Sequence, residues 1–171
     1  MTDLPLNDRS LLKIRPAEPS DTALILSLIQ QLAVFEKLAH EVVADESQLR
    51  ATLFGARRYA EVLIAERNGK AAAFAIFFHN YSTFLGRPGL HLEDLFVLPE
   101  VRGLGIGERM LSHLAAIAAE RGCGRFEWWV LDWNQKAIEF YEKLGATQNK
   151  GWLAYRMVGE PMRQLARRFA P

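Results

Sequence analysis

Residues 90–110 read LHLEDLFVLPEVRGLGIGERM, and the fold turns on this stretch. An apolar run carrying two acids, Glu93 and Asp94, ends at Pro99. A short turn, Glu100-Val101-Arg102, leads into glycines at alternate positions, Gly103, Gly105 and Gly107, and a helix-forming segment follows at once. The pattern is a strand, a glycine loop and a helix. Glycine permits positive φ and lets a ligand come close. A helix start offers unpaired N–H groups and a partial positive charge. Together they form a phosphate cradle, with Arg102 adding a formal charge at its rim. Neither common phosphate motif fits. A P-loop needs Gly-Lys-Ser/Thr, whereas Gly107 is followed by Glu108, and the third glycine comes one residue too early for the dinucleotide fingerprint.

The chain around this stretch is ordinary in composition. One domain is the default for 171 residues, here taken as 1–171 with residues 1–10 a loose N-terminal arm. Half the residues are hydrophobic and 24% are charged, ordinary for a soluble globule. A net charge of +1 argues against a nucleic-acid partner. The single cysteine, Cys123, excludes an internal disulfide and suits a reducing compartment. The first residues carry charge and no long apolar core, so no signal peptide is expected. The longest apolar run, 71–78, is far shorter than the roughly 20 residues of a membrane helix. These features lead us to expect a cytoplasmic protein with no membrane contact.

Outward from the glycine loop, 11–15 reads as a short strand and 21–37 as an amphipathic helix with Ser20 or Asp21 as its cap. Asp45 with Gln48 resembles a capping box for a helix ending near Gly55. Asn68-Gly69 joins strands at 59–66 and 71–79 in a hairpin. Gly86, Pro88 and Gly89 mark 81–89 as a loop, and 90–98 is the central strand. The helix at 105–121 and a strand at 125–131 complete a strand–helix–strand unit, which implies a parallel pair. Asn134 caps a helix that Gly145 ends. Residues 146–149 and 152–158 read as two closing strands, and 160–169 as a short basic helix.

R-G-L-G-I-G after a strand resembles the Q/R-x-x-G-x-G/A pattern of the GNAT acyl-CoA N-acetyltransferases. LEDLFV before it and WNQKAIEFYEKLGA after it are similar to the spermidine/spermine (diamine) branch of that family, over about residues 12–158. The resemblance implies an α/β GNAT fold: a mixed, mostly antiparallel twisted sheet with a central splayed parallel pair, flanked by helices. It implies acetyl transfer from acetyl-CoA to a primary amine of a small molecule, a diamine or polyamine or a thialysine-like compound, by direct attack in a ternary complex. No metal takes part, and a homodimer is expected.

The resemblance selects Glu93 as the base acting through water; strand alternation lets only one of Glu93 and Asp94 face the cleft. Without it, Glu93 reads as one half of an ion pair. Tyr141 shares a helix face with Ala137, Ile138 and Leu144. It matches the family's general acid; otherwise it is a core tyrosine with a bonded hydroxyl. Leu95, Phe96 and Val97 match the strand that pairs with the pantetheine arm through its backbone. Arg102, Gly103, Leu104, Gly105, Ile106 and Gly107 match the pyrophosphate loop. Asn134 matches a CoA contact, alongside its role as a helix cap. Phe35 and Glu36 match the polyamine pocket, with Glu93 and Trp129 also at the substrate; Trp128 and Trp133 read as packing. The stretch Glu36-Lys37-Leu38-Ala39-His40-Glu41 is less acidic than in the polyamine enzymes, which leaves shorter amines open.

The rivals are a protein or peptide N-acetyltransferase and a non-catalytic CoA-binding sensor; retention of both Glu93 and Tyr141 argues against the sensor. Cys123 reads as a buried, inert thiol rather than an acetyl carrier. The four histidines, 40, 79, 91 and 113, lack metal-ligand spacing.

Overall fold

A computed structural model of the chain describes residues 11–169, and the expected arm at 1–10 lies outside them. The described residues form two compact units, one running to Trp129 and the other starting at Val130.

The first unit holds a five-stranded sheet in the order β1 (Leu12–Pro16), β2 (Glu61–Arg67), β3 (Lys70–Ser82), β4 (Arg87–Val97) and β5 (Arg125–Trp128). Neighbours from β1 to β4 run antiparallel, and β4 and β5 run parallel. The sheet is therefore mixed and mostly antiparallel, as expected, but the parallel pair expected at its centre lies at one edge among the described residues, because no further strand pairs with β5. Its ladder joins Gly89 to Arg125 through Leu92 to Trp128 and stops there, although β4 continues to Val97. The pair is thus splayed beyond Leu92.

Helices α1 (Thr22–Phe35) and α2 (Glu46–Phe54) cover one face. Ile25, Leu28, Leu32 and Leu53 pack there on Val62, Ile64, Phe74, Ile76 and Phe96. The capping box at α2 is present: the Asp45 carboxylate accepts from Gln48 N at 2.8 Å, and the Gln48 side chain accepts from Asp45 N at 3.0 Å. At α1 the expected cap is used otherwise. The Asp21 carboxylate accepts from the two terminal guanidinium nitrogens of Arg15 and from Glu18 N, so a side chain from β1 takes the oxygens a cap would need. Helix α3 (Ile106–Glu120) buries Ile106, Met110, Leu111, Leu114 and Ala118. Just past its end, Arg121 bonds Glu61 at 2.9 Å and lies 5.9 Å from the Phe77 ring. Glu61 and Phe77 are cross-strand partners one residue out of phase with Val62 and Ile76, so α3 meets the opposite face.

Two expectations at the sheet fail for related reasons. Residues 81–89 are not a loop: only 83–86 turn, and Tyr81 pairs with Pro88 within the β3–β4 hairpin. Pro88 is tolerated because it precedes the residues that pair with β5. The strand expected at 125–131 ends at Trp128.

The second unit contains α4 (Gln135–Lys143) and α5 (Gly159–Arg167). Asn134 caps α4, its side chain accepting from Ala137 N at 3.4 Å. The closing strands expected at 146–149 and 152–158 are not formed. Alternating side chains favour an extended chain, but a strand also needs a partner edge for its backbone. Trp152, Leu153 and Tyr155 remain exposed.

Candidate active site

The β3–β4 register pairs Ile76 with Asp94 and Phe77 with Leu92, which leaves Glu93 as an extra residue on β4. This bulge breaks the alternation that separated the two acids. Asp94 faces the same way as its partner Ile76, toward α1 and α2. His91 pairs with Phe78, two residues from Ile76, and so shares that face; Glu93, two residues from His91, shares it as well. The expectation that only one of Glu93 and Asp94 faces this side is corrected. Both do, and the cause is a non-local pairing invisible in the strand's own pattern.

A third acid joins them. Glu36 is the C-cap just past α1, where the chain turns through Lys37 at φ 64°, with Leu38 N bonding Ala33 O at 2.8 Å. Burial pushes the Glu36 carboxyl above the usual carboxylate range. Burial, then the charge of Glu93, then that of Glu36, pushes Asp94 up to about 7. Three carboxyls are neighbours here, Asp94 desolvated and Glu93 open, and their mutual repulsion favours a cation or a proton. The Glu93 side chain is the open one of the group at 54% exposure, 3.7 Å from His91 Nε2. Trp129 stands edge-on to His91 at 5.5 Å and is itself exposed, which brings that predicted substrate residue beside Glu93. Trp128 packs on Phe126 instead, at 4.9 Å.

The strand beyond the bulge supplies backbone. Leu98 N bonds Ala72 O at 2.9 Å, so residues 98 and 96 turn their N–H groups toward β3, while 97 and 95 turn theirs away. β5 has left the ladder by this point, so the Leu95 and Val97 N–H groups face the open side. Phe96, expected to serve through its backbone, is committed to β3 and to the core, its ring 6.5 Å from Phe74 and from Phe35.

The glycine loop follows. Gly103 and Gly105 have φ of 79° and 72°, the left-handed region that disfavours any side chain, and a Cβ on either would meet open space. Gly105 caps α3, and Arg109 N takes its carbonyl at 3.1 Å, leaving the N–H groups of Ile106, Gly107 and Glu108 without partners inside the helix. Ile106 anchors this start by burying its side chain, and Leu104 is half-buried. The Arg102 guanidinium does not stand over the loop. It folds back, donating from Nε to Val97 O at 2.9 Å and lying 4.6 Å from the Phe35 ring centre. Open space at the two glycines, positive φ and a helix start fit a phosphate-bearing group, and the outward Leu95 and Val97 amides fit an extended amide-bearing arm.

In the second unit, Tyr141 lies half-buried on α4 beside Phe140 at 5.4 Å, and Asn134 serves as the cap described above. Cys123 is half-buried in the turn after α3, its N–H bonded to Ala118 O at 2.9 Å.

A parallel pair that parts at Leu92, outward strand amides and a glycine loop feeding a helix define an α/β protein whose open strand edge and helix start suit a phosphate-bearing ligand. The sequence profile of the acetyltransferase (GNAT) family matches residues 28–146. The chain belongs to that family and is an N-acetyltransferase; the family uses acetyl-CoA as co-substrate. The thialysine N-epsilon-acetyltransferase of Mus musculus is 40% identical over 167 residues, which are 91% of this chain and 98% of that one. An L-ornithine N5-acetyltransferase of Arabidopsis thaliana is 32% identical over 206 residues, 94% of this chain and 90% of that one. Among solved structures, an integron cassette protein from the mobile metagenome of V. cholerae has a TM-score of 0.77 at 24% identity, covering 91% of this chain and 98% of that one, a likeness of fold.

Proposed function

We propose that this enzyme acetylates the terminal amine of a small molecule carrying a second cationic centre: a diamine, thialysine or ornithine. The observation that carries the proposal is the gathering of Glu36, Glu93 and Asp94 on one face by the bulge. A mono-cation needs one carboxylate; three that repel one another suit a substrate with two amino groups. Similarity to enzymes named for thialysine and for ornithine supports the same class.

Acetyl-CoA supplies the acetyl group and a thiolate leaving group. The chain's residues do the rest. Gly103, Leu104, Gly105, Ile106 and Gly107 hold the pyrophosphate with backbone N–H groups, and Leu95 and Val97 hold the pantetheine arm. Arg102 turns out from Phe35 to meet a phosphate, and Asn134 adds a contact while capping its helix. Alkylamines have a pKa near 10.4 and arrive charged. Glu93 removes the proton through a water, Glu36 and Asp94 hold the far cation, and Trp129 and Phe35 flank the chain between them. Tyr141 protonates the departing thiolate. The two compact units act as one catalytic domain, and the family match at 28–146 spans their boundary. The enzyme works in the cytoplasm as a homodimer, where a free Cys123 and an acetyl-CoA supply are compatible.

The test compares a diamine with the monoamine of equal length. The diamine should give a kcat/KM higher by about 10-fold or more, the effect of one buried charge–charge contact. Equal values would remove the acids from substrate recognition and favour a protein or peptide acceptor.

A further inference from the structure

His91 sits beside Glu93 on the same face of β4 and is buried. Its ring lies 4.9 Å from Phe78 and 5.5 Å from Trp129. Each ring nitrogen addresses a carboxylate: Nε2 is 3.7 Å from Glu93 Oε2, and Nδ1 is 4.0 Å from Glu127 Oε1. The register explains this, because the parallel ladder sets Glu127 directly opposite His91. Glu127 is itself held. Its Oε1 accepts from Asn80 Nδ2, and its Oε2 lies 3.3 Å from Arg125 Nε.

Holding Glu127 has structural requirements of its own. Asn80 and Arg125 are the β3 and β5 partners of Gly89, one row along the sheet. A Cβ on Gly89 would come 2.3 Å from Asn80 Oδ1 and 2.9 Å from Arg125 Cγ, so glycine is what lets both side chains reach Glu127. Asn80 Oδ1 is buried with no hydrogen-bond partner among the described residues. Such an orphan acceptor destabilises the fold. A buried histidine satisfied by packing alone would need neither the orphan nor two carboxylates.

We propose that His91 is a positioning residue that relays the amine's proton from Glu93 to Glu127 and so to solvent, a role that rests on Glu93 being the base. An imidazole takes a proton on one nitrogen while releasing one from the other. The ammonium gives its proton through water to the Glu93 carboxylate. The resulting acid passes it to Nε2 of a neutral His91 carrying its proton on Nδ1. The imidazolium hands the Nδ1 proton to Glu127, whose side chain is 35% exposed and releases it to water. Glu93 is again a carboxylate, and the ring regains its first tautomer by exchange with water. No electrons change hands. Each gap is about 1 Å longer than a hydrogen bond, which a side-chain rotation or one bridging water spans. The relay matters most when bound substrates cover Glu93 and cut its own contact with solvent.

The experiment uses His91→Phe, which keeps a ring between Phe78 and Trp129, and His91→Gln, which keeps polarity, with Glu93→Gln and Glu127→Gln alongside. In single-turnover acetylation at neutral pH, both His91 variants should be slower by roughly 10-fold or more, with KM for both substrates little changed. Added imidazole buffer should restore His91→Gln, leave His91→Phe slow because its ring fills the space, and leave the wild type unaffected. Wild-type rates in both His91 variants overturn the relay, as does a slow His91→Gln enzyme that imidazole does not rescue. If Glu93→Gln is itself as fast as wild type, the base assignment falls. If it is slow while the His91 variants are fast, only the relay falls.

Discussion

Asp94→Asn replaces the most strained acid of the site by a neutral group of the same shape. In the folded chain, burial and the charges of Glu93 and Glu36 push the Asp94 carboxyl from 3.8 up to about 7. A raised carboxyl prefers its proton in the folded state. The stability linked to that proton is fully present below the unfolded value of 3.8 and is lost as pH climbs through about 7. Asparagine has no proton to lose, so the variant should gain on the wild type as pH rises. The full shift is about 3 units, or at most about 4 kcal/mol above pH 7, shrinking to about 2 kcal/mol at pH 5. For a chain of this length 4 kcal/mol corresponds to about 10 °C in Tm. Thermal unfolding of both proteins without ligand, from pH 5 to 8.5, reads the difference directly. A Tm gap that does not change with pH, or a variant less stable than wild type at pH 8, would refute the view that Asp94 is a buried acid under repulsion. The same carboxyl must ionise to hold an ammonium, so binding of a diamine near pH 6.5 should release protons in the wild type and fewer in Asp94→Asn.

Four further outcomes follow from the site. Gly105→Val places a β-branched side chain at φ 72°, which costs roughly 1–3 kcal/mol, and should weaken acetyl-CoA binding strongly in a protein that still folds; unchanged affinity by calorimetry would make the loop a mere turn. Tyr141→Phe should lower turnover by about 100-fold with little change in substrate binding, and near-normal turnover would return Tyr141 to packing. Glu93→Gln should be slowest relative to wild type at neutral pH and recover in part toward the amine's pKa near 10.4, whereas a normal pH profile would remove Glu93 from the chemistry. Cys123→Ala should leave activity intact and double-reciprocal lines should intersect; parallel lines with a dead Cys123→Ala enzyme would mean an acetyl-cysteine route.

What the sequence disclosed and what it hid divide along local and non-local physics. Gly103 and Gly105 announced their positive φ because only glycine adopts it freely, and the Asp45–Gln48 box was visible because its bonds span three residues. Asp94 was set aside on strict alternation, and the bulge that overturns this arises in the pairing with β3, seventeen residues or more upstream. Glu127 and His91 meet only because the parallel ladder aligns them across α3, and spacing along the chain carries no trace of that. Pro88 and two nearby glycines made 81–89 look like a loop, although a proline ahead of the residues that pair with the next strand does no harm. The apolar pattern of 152–158 told which residues alternate and nothing about whether a partner edge was present.

The central claim, acetyl transfer from acetyl-CoA to a small amine with two cationic centres, is tested most directly by following free CoA. The purified enzyme would be incubated with acetyl-CoA and, one at a time, short diamines, thialysine, ornithine, spermidine, the matching monoamines and a set of peptides with free N-termini. The account predicts CoA release that is fastest with a short diamine, thialysine or ornithine, together with a mono-acetylated product by mass spectrometry. Release with peptides alone, or binding of acetyl-CoA with no release beyond the amine-free blank for any acceptor, would contradict it.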